Sequence, residues 1–172
     1  MFGPIVITGF MGCGKTEVAR SLATRLQRAV VDLDEVITQL EGRSPARLIE
    51  EEGERAFREM ETKALRYVLG RDSTAIVALG GGAWIEEVNR KLIDRDQGIS
   101  VWLDTSFEVC WKRIVASGDD RPLGRTIGQA RELFERRRPI YQLAQIRLPA
   151  RPDESADSLA CRIESEVTDR CV

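Results

Sequence analysis

Residues Gly9-Phe10-Met11-Gly12-Cys13-Gly14-Lys15-Thr16 carry the first sign of chemistry in this chain. Their order fits the phosphate-loop pattern G-x-x-x-x-G-K-[ST]; they follow an apolar run, Pro4–Thr8, and precede a helical repeat. Closely spaced glycines let successive backbone N–H groups turn toward one anion, and the helix that follows adds its positive end. In that pattern Lys15 reaches the β- and γ-phosphates of a nucleotide, and the Thr16 hydroxyl is a ligand for Mg²⁺. Gly12, Cys13 and Gly14 supply the cradle. A thiol at this place has two readings. The positive potential lowers the Cys13 pKa and makes it the most reactive of the four cysteines, or Cys13 is a small, inert filler.

Other charged residues fall where a phosphate loop would use them. Asp32-Leu33-Asp34 closes a second apolar run, Val30–Leu33. Parallel sheets bind ligands outside the carboxyl ends of their strands. Alternation along a strand puts the two carboxylates on one side, about 6–7 Å apart, one for the Mg²⁺ shell and one for a substrate hydroxyl. An Asp there is equally suited to cap a helix starting near Glu35. Arg58 and Glu61 share a helix face and can pair, although most such pairs are solvated surface bridges. Gly80-Gly81-Gly82 follows a third apolar run and lets a ligand approach the main chain. Arg121-Pro122-Leu123-Gly124 lies in the most loop-like stretch, Ser117–Arg125, which reads as a lid whose arginine closes over phosphates. Arg136-Arg137-Arg138 is a basic cluster at a helix end, part of which offsets the helix dipole. With no histidine in the chain, proton transfer falls to a carboxylate, Lys, Tyr, Cys or the substrate itself.

The elements that must position these groups alternate. Strands are predicted at Ile5–Thr8, Val30–Leu33, Ala75–Leu79, Ile99–Leu103 and, more weakly, Gln145–Leu148. Most are continuously apolar, as strands covered on both faces are. Helical patterns lie between them: Val18, Leu22 and Leu26; a helix capped by Ser44 with Pro45 first; and Phe57, Met60, Ala64, Leu65 and Val68, ended by Gly70. A capping box at Thr105–Glu108 precedes Cys110, Trp111 and Ile114. Ile127, Ala130, Leu133 and Phe134 form a helix stopped near Pro139, and Leu159, Ile163 and Val167 form the last. Such alternation implies a parallel sheet wrapped by helices.

Bulk properties narrow the classes. The 172 residues suit one domain, spanning 1–172, and the formal net charge of −2 with interspersed signs argues against nucleic-acid or membrane-surface binding. No run spans a bilayer and no signal peptide is visible. Cys13, Cys110, Cys161 and Cys171 lack C-x-x-C spacing, so neither a zinc site nor a disulfide framework is expected. Free thiols point to the cytoplasm.

Taken in order, these motifs resemble the shikimate kinase family, phosphate-loop kinases of the nucleoside-monophosphate-kinase superfamily. The resemblance runs from about Ile5 to Tyr141. It comprises the Gly9–Thr16 loop, D-x-D at Asp32 and Asp34, and G-E-x-x-F-R-x-x-E at Gly53, Glu54, Phe57, Arg58 and Glu61. It continues through the Gly80–Gly82 triplet and R-P-L at Arg121–Leu123 to R-x-P-x-Y at Arg137, Pro139 and Tyr141. The family implies an α/β three-layer sandwich, with a five-stranded parallel sheet in the order 2-3-1-4-5 and a mobile lid near residues 118–129. By the same resemblance, Lys15 and Arg121 hold ATP phosphates, Thr16 binds Mg²⁺ directly and Asp32 does so through water. Asp34 holds substrate hydroxyls near the attacking one. Arg58, Arg137 and the backbone of Gly80, Gly81 and Gly82 hold shikimate, the arginines its carboxylate, and Arg113 stacks on adenine. Lys15, Asp34 and Arg121 form the catalytic set. The implied partners are ATP and shikimate, with the protein a monomer. Cys13 stands where Ala or Ser is common, and Gly124 where a second Leu is frequent. The adenine loop near the C-terminus has no clear counterpart. Two rivals are another hydroxy-acid kinase, such as gluconate kinase, and a non-catalytic nucleotide-binding module; a GTPase switch would carry N-K-x-D, which is absent.

Overall fold

A computed structural model describes residues 3–72, 74–118 and 124–170. Arg121, Pro122, Leu123 and Cys171 lie outside the described residues, and the lid expected over 118–129 falls only partly within them. The strands are β1 (Ile5–Thr8), β2 (Val30–Asp32), β3 (Ile76–Ala78), β4 (Ile99–Asp104) and β5 (Ile146–Pro149). They pair in parallel throughout, in the order β2-β3-β1-β4-β5. The helices are α1 (Lys15–Leu26), α2 (Leu33–Glu41), α3 (Pro45–Glu52), α4 (Glu54–Arg71), α5 (Glu87–Arg95), α6 (Phe107–Ser117), α7 (Ile127–Tyr141) and α8 (Ala156–Asp169). Every residue of β1 and β3 is buried, so helices cover both faces of the sheet centre, which is why these strands read as unbroken apolar runs. The edges differ: Val30 of β2 is half-exposed, and β5 alternates, with Ile146 and Leu148 inside and Arg147 outside. Among the described residues no helix is long and apolar enough to cross a membrane.

The strand order positions the site. The chain goes to one side of β1 for β2 and β3, then to the other for β4 and β5. A crevice therefore opens beyond the carboxyl end of β1, where residues Gly9–Gly14 lead into α1. Gly14, the N-cap of α1, has φ 98°, a left-handed conformation that side-chain-bearing residues rarely adopt. Leu159, Ile163 and Val167 bury one face of α8, which packs against α1.

Several boundaries differ from the sequence-based expectation. Leu33 starts α2 rather than ending β2, because the Asp32 carboxylate accepts the Asp34 N–H at 3.0 Å and turns the chain into a helix. Gly70 does not end α4, which continues to Arg71. Thr105–Glu108 forms no capping box: Ser106 is the N-cap without a side-chain bond. The reciprocal box belongs instead to Thr126 and Gln129 at the start of α7. Pro139 does not stop α7, which runs on to Tyr141. The Ser44 cap with Pro45 is present as predicted.

Candidate active site

Beyond β1 lies a cleft of about 530 Å³. Lys15 and Thr16 line it from the head of α1, with Asp32, Asp34, Gly80 and Gly81 also on its walls. The Lys15 ammonium donates to the carbonyls of Gly9 at 3.0 Å and Phe10 at 2.9 Å. Its charge is thus held over the loop rather than out in solvent, beside the positive end of α1. The Thr16 hydroxyl donates to Asp32 Oδ2 at 2.6 Å. The Asp32 carboxylate is thus shared: Oδ1 caps α2, the capping role expected of it, while Oδ2 accepts from Thr16, the expected metal ligand. Asp34 reaches the same edge from the first turn of α2, not by strand alternation.

Behind the glycine triplet sits a buried charged cluster. Arg58 pairs with Glu61 through Nη1 and with Glu54 through Nη2, the latter at 3.0 Å. This is no solvated surface bridge: the side chains of Arg58 and Glu61 are only 12% and 1% exposed. Glu54 and Glu61 flank Arg58 one turn before and one turn after it on α4, which gives the G-E-x-x-F-R-x-x-E spacing a structural reason. Burial pushes the Glu61 carboxyl up to about 7, with Asp34 adding repulsion against the pull of Arg58 and Arg137. A Cβ on Gly80 would stand 2.8 Å from both Asp34 Oδ1 and Glu61 Oε1, so a bare glycine is what lets the two carboxylates converge. The Arg58 guanidinium occupies the space that a Gly82 side chain would need. Arg137 is buried, which lowers its pKa, and its Nη1 donates to the Gly81 carbonyl at 3.2 Å. Arg58, Gly82 and Arg137 thus meet the cleft through Gly80 and Gly81 rather than on its own walls.

Other expected residues also line the cleft. Arg113 of α6 lines it and donates to the carbonyls of Gly12 at 3.4 Å and Cys13 at 3.3 Å. Ala156 and Leu159, from the start of α8, also line the cleft; the Ser155 N-cap marks only where that helix begins. Cys13 is 1% exposed. Burial raises its thiol pKa despite Lys15 and Arg113 nearby, which favours the inert filler over the reactive thiol. Cys110 is pushed to about 12, mainly by burial, while Cys161 is exposed.

A β1–loop–α1 phosphate cradle at the switch point of a 2-3-1-4-5 parallel sheet defines a phosphate-loop α/β protein of the kinase type. Comparison with known proteins narrows this. Residues 11–168 match the family model for shikimate kinase. A shikimate kinase of Cereibacter sphaeroides is 36% identical over 169 residues, covering 96% of this chain and 83% of the relative. The structure of a shikimate kinase from Acinetobacter baumannii in complex with shikimate superposes with a TM-score of 0.91 at 31% identity, covering 99% of this chain and 95% of that one. The shikimate kinase of Aquifex aeolicus gives 0.84 at 27% identity, covering 98% of each chain. The chain belongs to the shikimate kinase family.

Proposed function

We propose that this protein transfers the γ-phosphoryl group of ATP to the 3-hydroxyl of shikimate, as one catalytic domain spanning 1–172, acting as a monomer in the cytoplasm. The observation that carries the reading is the convergence, along Gly80–Gly82, of a phosphate loop, the Asp34 carboxylate and the guanidinium groups of Arg58 and Arg137. Shikimate offers hydroxyls suited to a carboxylate acceptor and a carboxylate suited to guanidinium forks. Phosphoryl transfer is chiefly positioning and charge stabilisation. Lys15 stabilises charge on the moving group, Asp34 orients the attacking hydroxyl and takes its proton late, and Arg58, Arg137 and the Gly80–Gly82 backbone hold the acid. Gly12, Cys13 and Gly14 cradle the nucleotide phosphates, and Arg113 stacks on adenine. Arg121 completes the catalytic set by family resemblance.

The residues present fit Mg²⁺. Thr16 and Asp32 bring two oxygen donors to within 2.6 Å of each other beside the loop, the hard-ligand chemistry that this ion favours. Thr16 would hold it directly and Asp32 through water, and the bound ion would neutralise phosphate charge. The test is a coupled ADP-release assay with a panel of hydroxy acids. Turnover that depends on shikimate and not on gluconate is expected; equal turnover with gluconate, or none with any acid, would overturn the reading.

A further inference from the structure

Tyr141 has no role in the chemistry above, yet its hydroxyl meets the same carbonyl as Arg137. Because α7 continues through Pro139, Tyr141 lies one turn beyond Arg137 on the same helix face. Its ring is 1% exposed. It stacks on Trp102 of β4, with ring centroids 6.3 Å apart and planes 24° from parallel. The Arg147 guanidinium lies 5.3 Å from the Trp102 ring centre and bridges to Asp104. The ring is therefore locked in place, and its hydroxyl donates to the Gly81 carbonyl, the acceptor that Arg137 Nη1 also reaches.

Two donors from one helix turn the Gly81 carbonyl toward α7. In a planar trans peptide the Gly82 N–H then points the opposite way. The second donor matters for Arg137 as well. A carbonyl has two lone pairs. With Tyr141 on one of them, a single guanidinium N–H suffices for the other; the phenol also interacts with the guanidinium directly, and the further donors of the fork stay available to an anion. Without the phenol, satisfying that partly buried oxygen falls to Arg137 and draws its fork back toward the main chain.

We propose that Tyr141 is a positioning residue for the acid substrate: its hydroxyl, braced by Trp102, orients the Gly81–Gly82 peptide and the Arg137 guanidinium that receive the carboxylate. This rests on the reading of Arg137 and the glycine triplet as the shikimate subsite. The test is Tyr141→Phe in the full chain, with steady-state kinetics on both substrates and a thermal melt. Loss of one neutral hydrogen bond predicts a rise of about 3- to 10-fold in KM for shikimate, with kcat and the KM for ATP unchanged. In an Arg137→Ala background the same change should raise that KM by a clearly smaller factor, because its effect runs partly through Arg137. A lowered Tm with unchanged KM, or equal changes for both substrates, would reduce Tyr141 to packing and overturn the proposal. Absence of shikimate-dependent turnover in the unmodified protein would instead remove the functional reading, and the Tyr141 role with it.

Discussion

Glu61→Gln isolates the cost of the buried carboxylate behind the glycine triplet. Burial raises the folded-state pKa of Glu61 from 4.5 to about 7. Below the unfolded value the group is protonated in both states and costs nothing. As pH rises between the two values, the unfolded chain releases its proton while the folded protein keeps it, so stability falls with pH; above the folded value the loss is complete. A shift of this size corresponds to about 3 kcal/mol, lost across roughly pH 4.5 to 8. Glutamine keeps the shape and cannot titrate. The attraction of Arg58 for the ionised carboxylate is already contained in that folded-state pKa, so exchanging the protonated acid for an amide adds only a pH-independent offset. Urea denaturation of both proteins at intervals across this window gives the assay. The unmodified protein should lose about 3 kcal/mol relative to Glu61→Gln as pH rises. A stability difference that stays flat from pH 5 to 8 would refute the argument that burial governs this group.

Lys15→Met and Asp34→Asn should each lower kcat by at least about 10²-fold in folded protein; near-normal kcat in a well-folded Asp34→Asn variant would remove the role given to Asp34. Arg58→Ala and Arg137→Ala should each raise KM for shikimate by about 10-fold or more, and KM for ATP far less; equal rises would point to structural roles. Gly80→Ala forces a Cβ to within 2.8 Å of two carboxylate oxygens, and the displaced Asp34 should cost about 10²-fold in kcat; kinetics like those of the parent would show that the site yields freely. Thiol labelling with site assignment should modify Cys161, which is exposed, before buried Cys13; Cys13 reacting first would contradict the burial argument.

The sheet was legible in the sequence because β1 and β3 are buried on both faces and so read as apolar runs between helical repeats. Element ends were less legible because local signals compete. Asp32 satisfied both the strand-edge and the helix-cap pattern, and the cap moved Leu33 into α2. Pro139 carries a stop signal that the packing of Tyr141 and Arg137 overrides. Within the site, Lys15, Thr16 and the aspartates announced themselves by spacing. The burial of Glu61 did not, since an Arg–Glu pair three residues apart looks the same on a solvated face as inside a core. The wall formed by Ala156 and Leu159 carried no chemical signal, because apolar residues at the start of a helix are as expected for packing as for binding. For Cys13 the field of Lys15 and the desolvation of the thiol act in opposite directions, and the burial that makes desolvation the larger is not visible in the sequence.

The central claim is the identity of the transferred group and its acceptor. Nuclear magnetic resonance of a reaction containing the protein, Mg-ATP and shikimate reads both at once. The account predicts ADP and shikimate 3-phosphate accumulating one for one, with phosphorus coupled to the proton on carbon 3. Free phosphate in place of an ester, an ester at another hydroxyl, or shikimate left unchanged while ATP is consumed would contradict it.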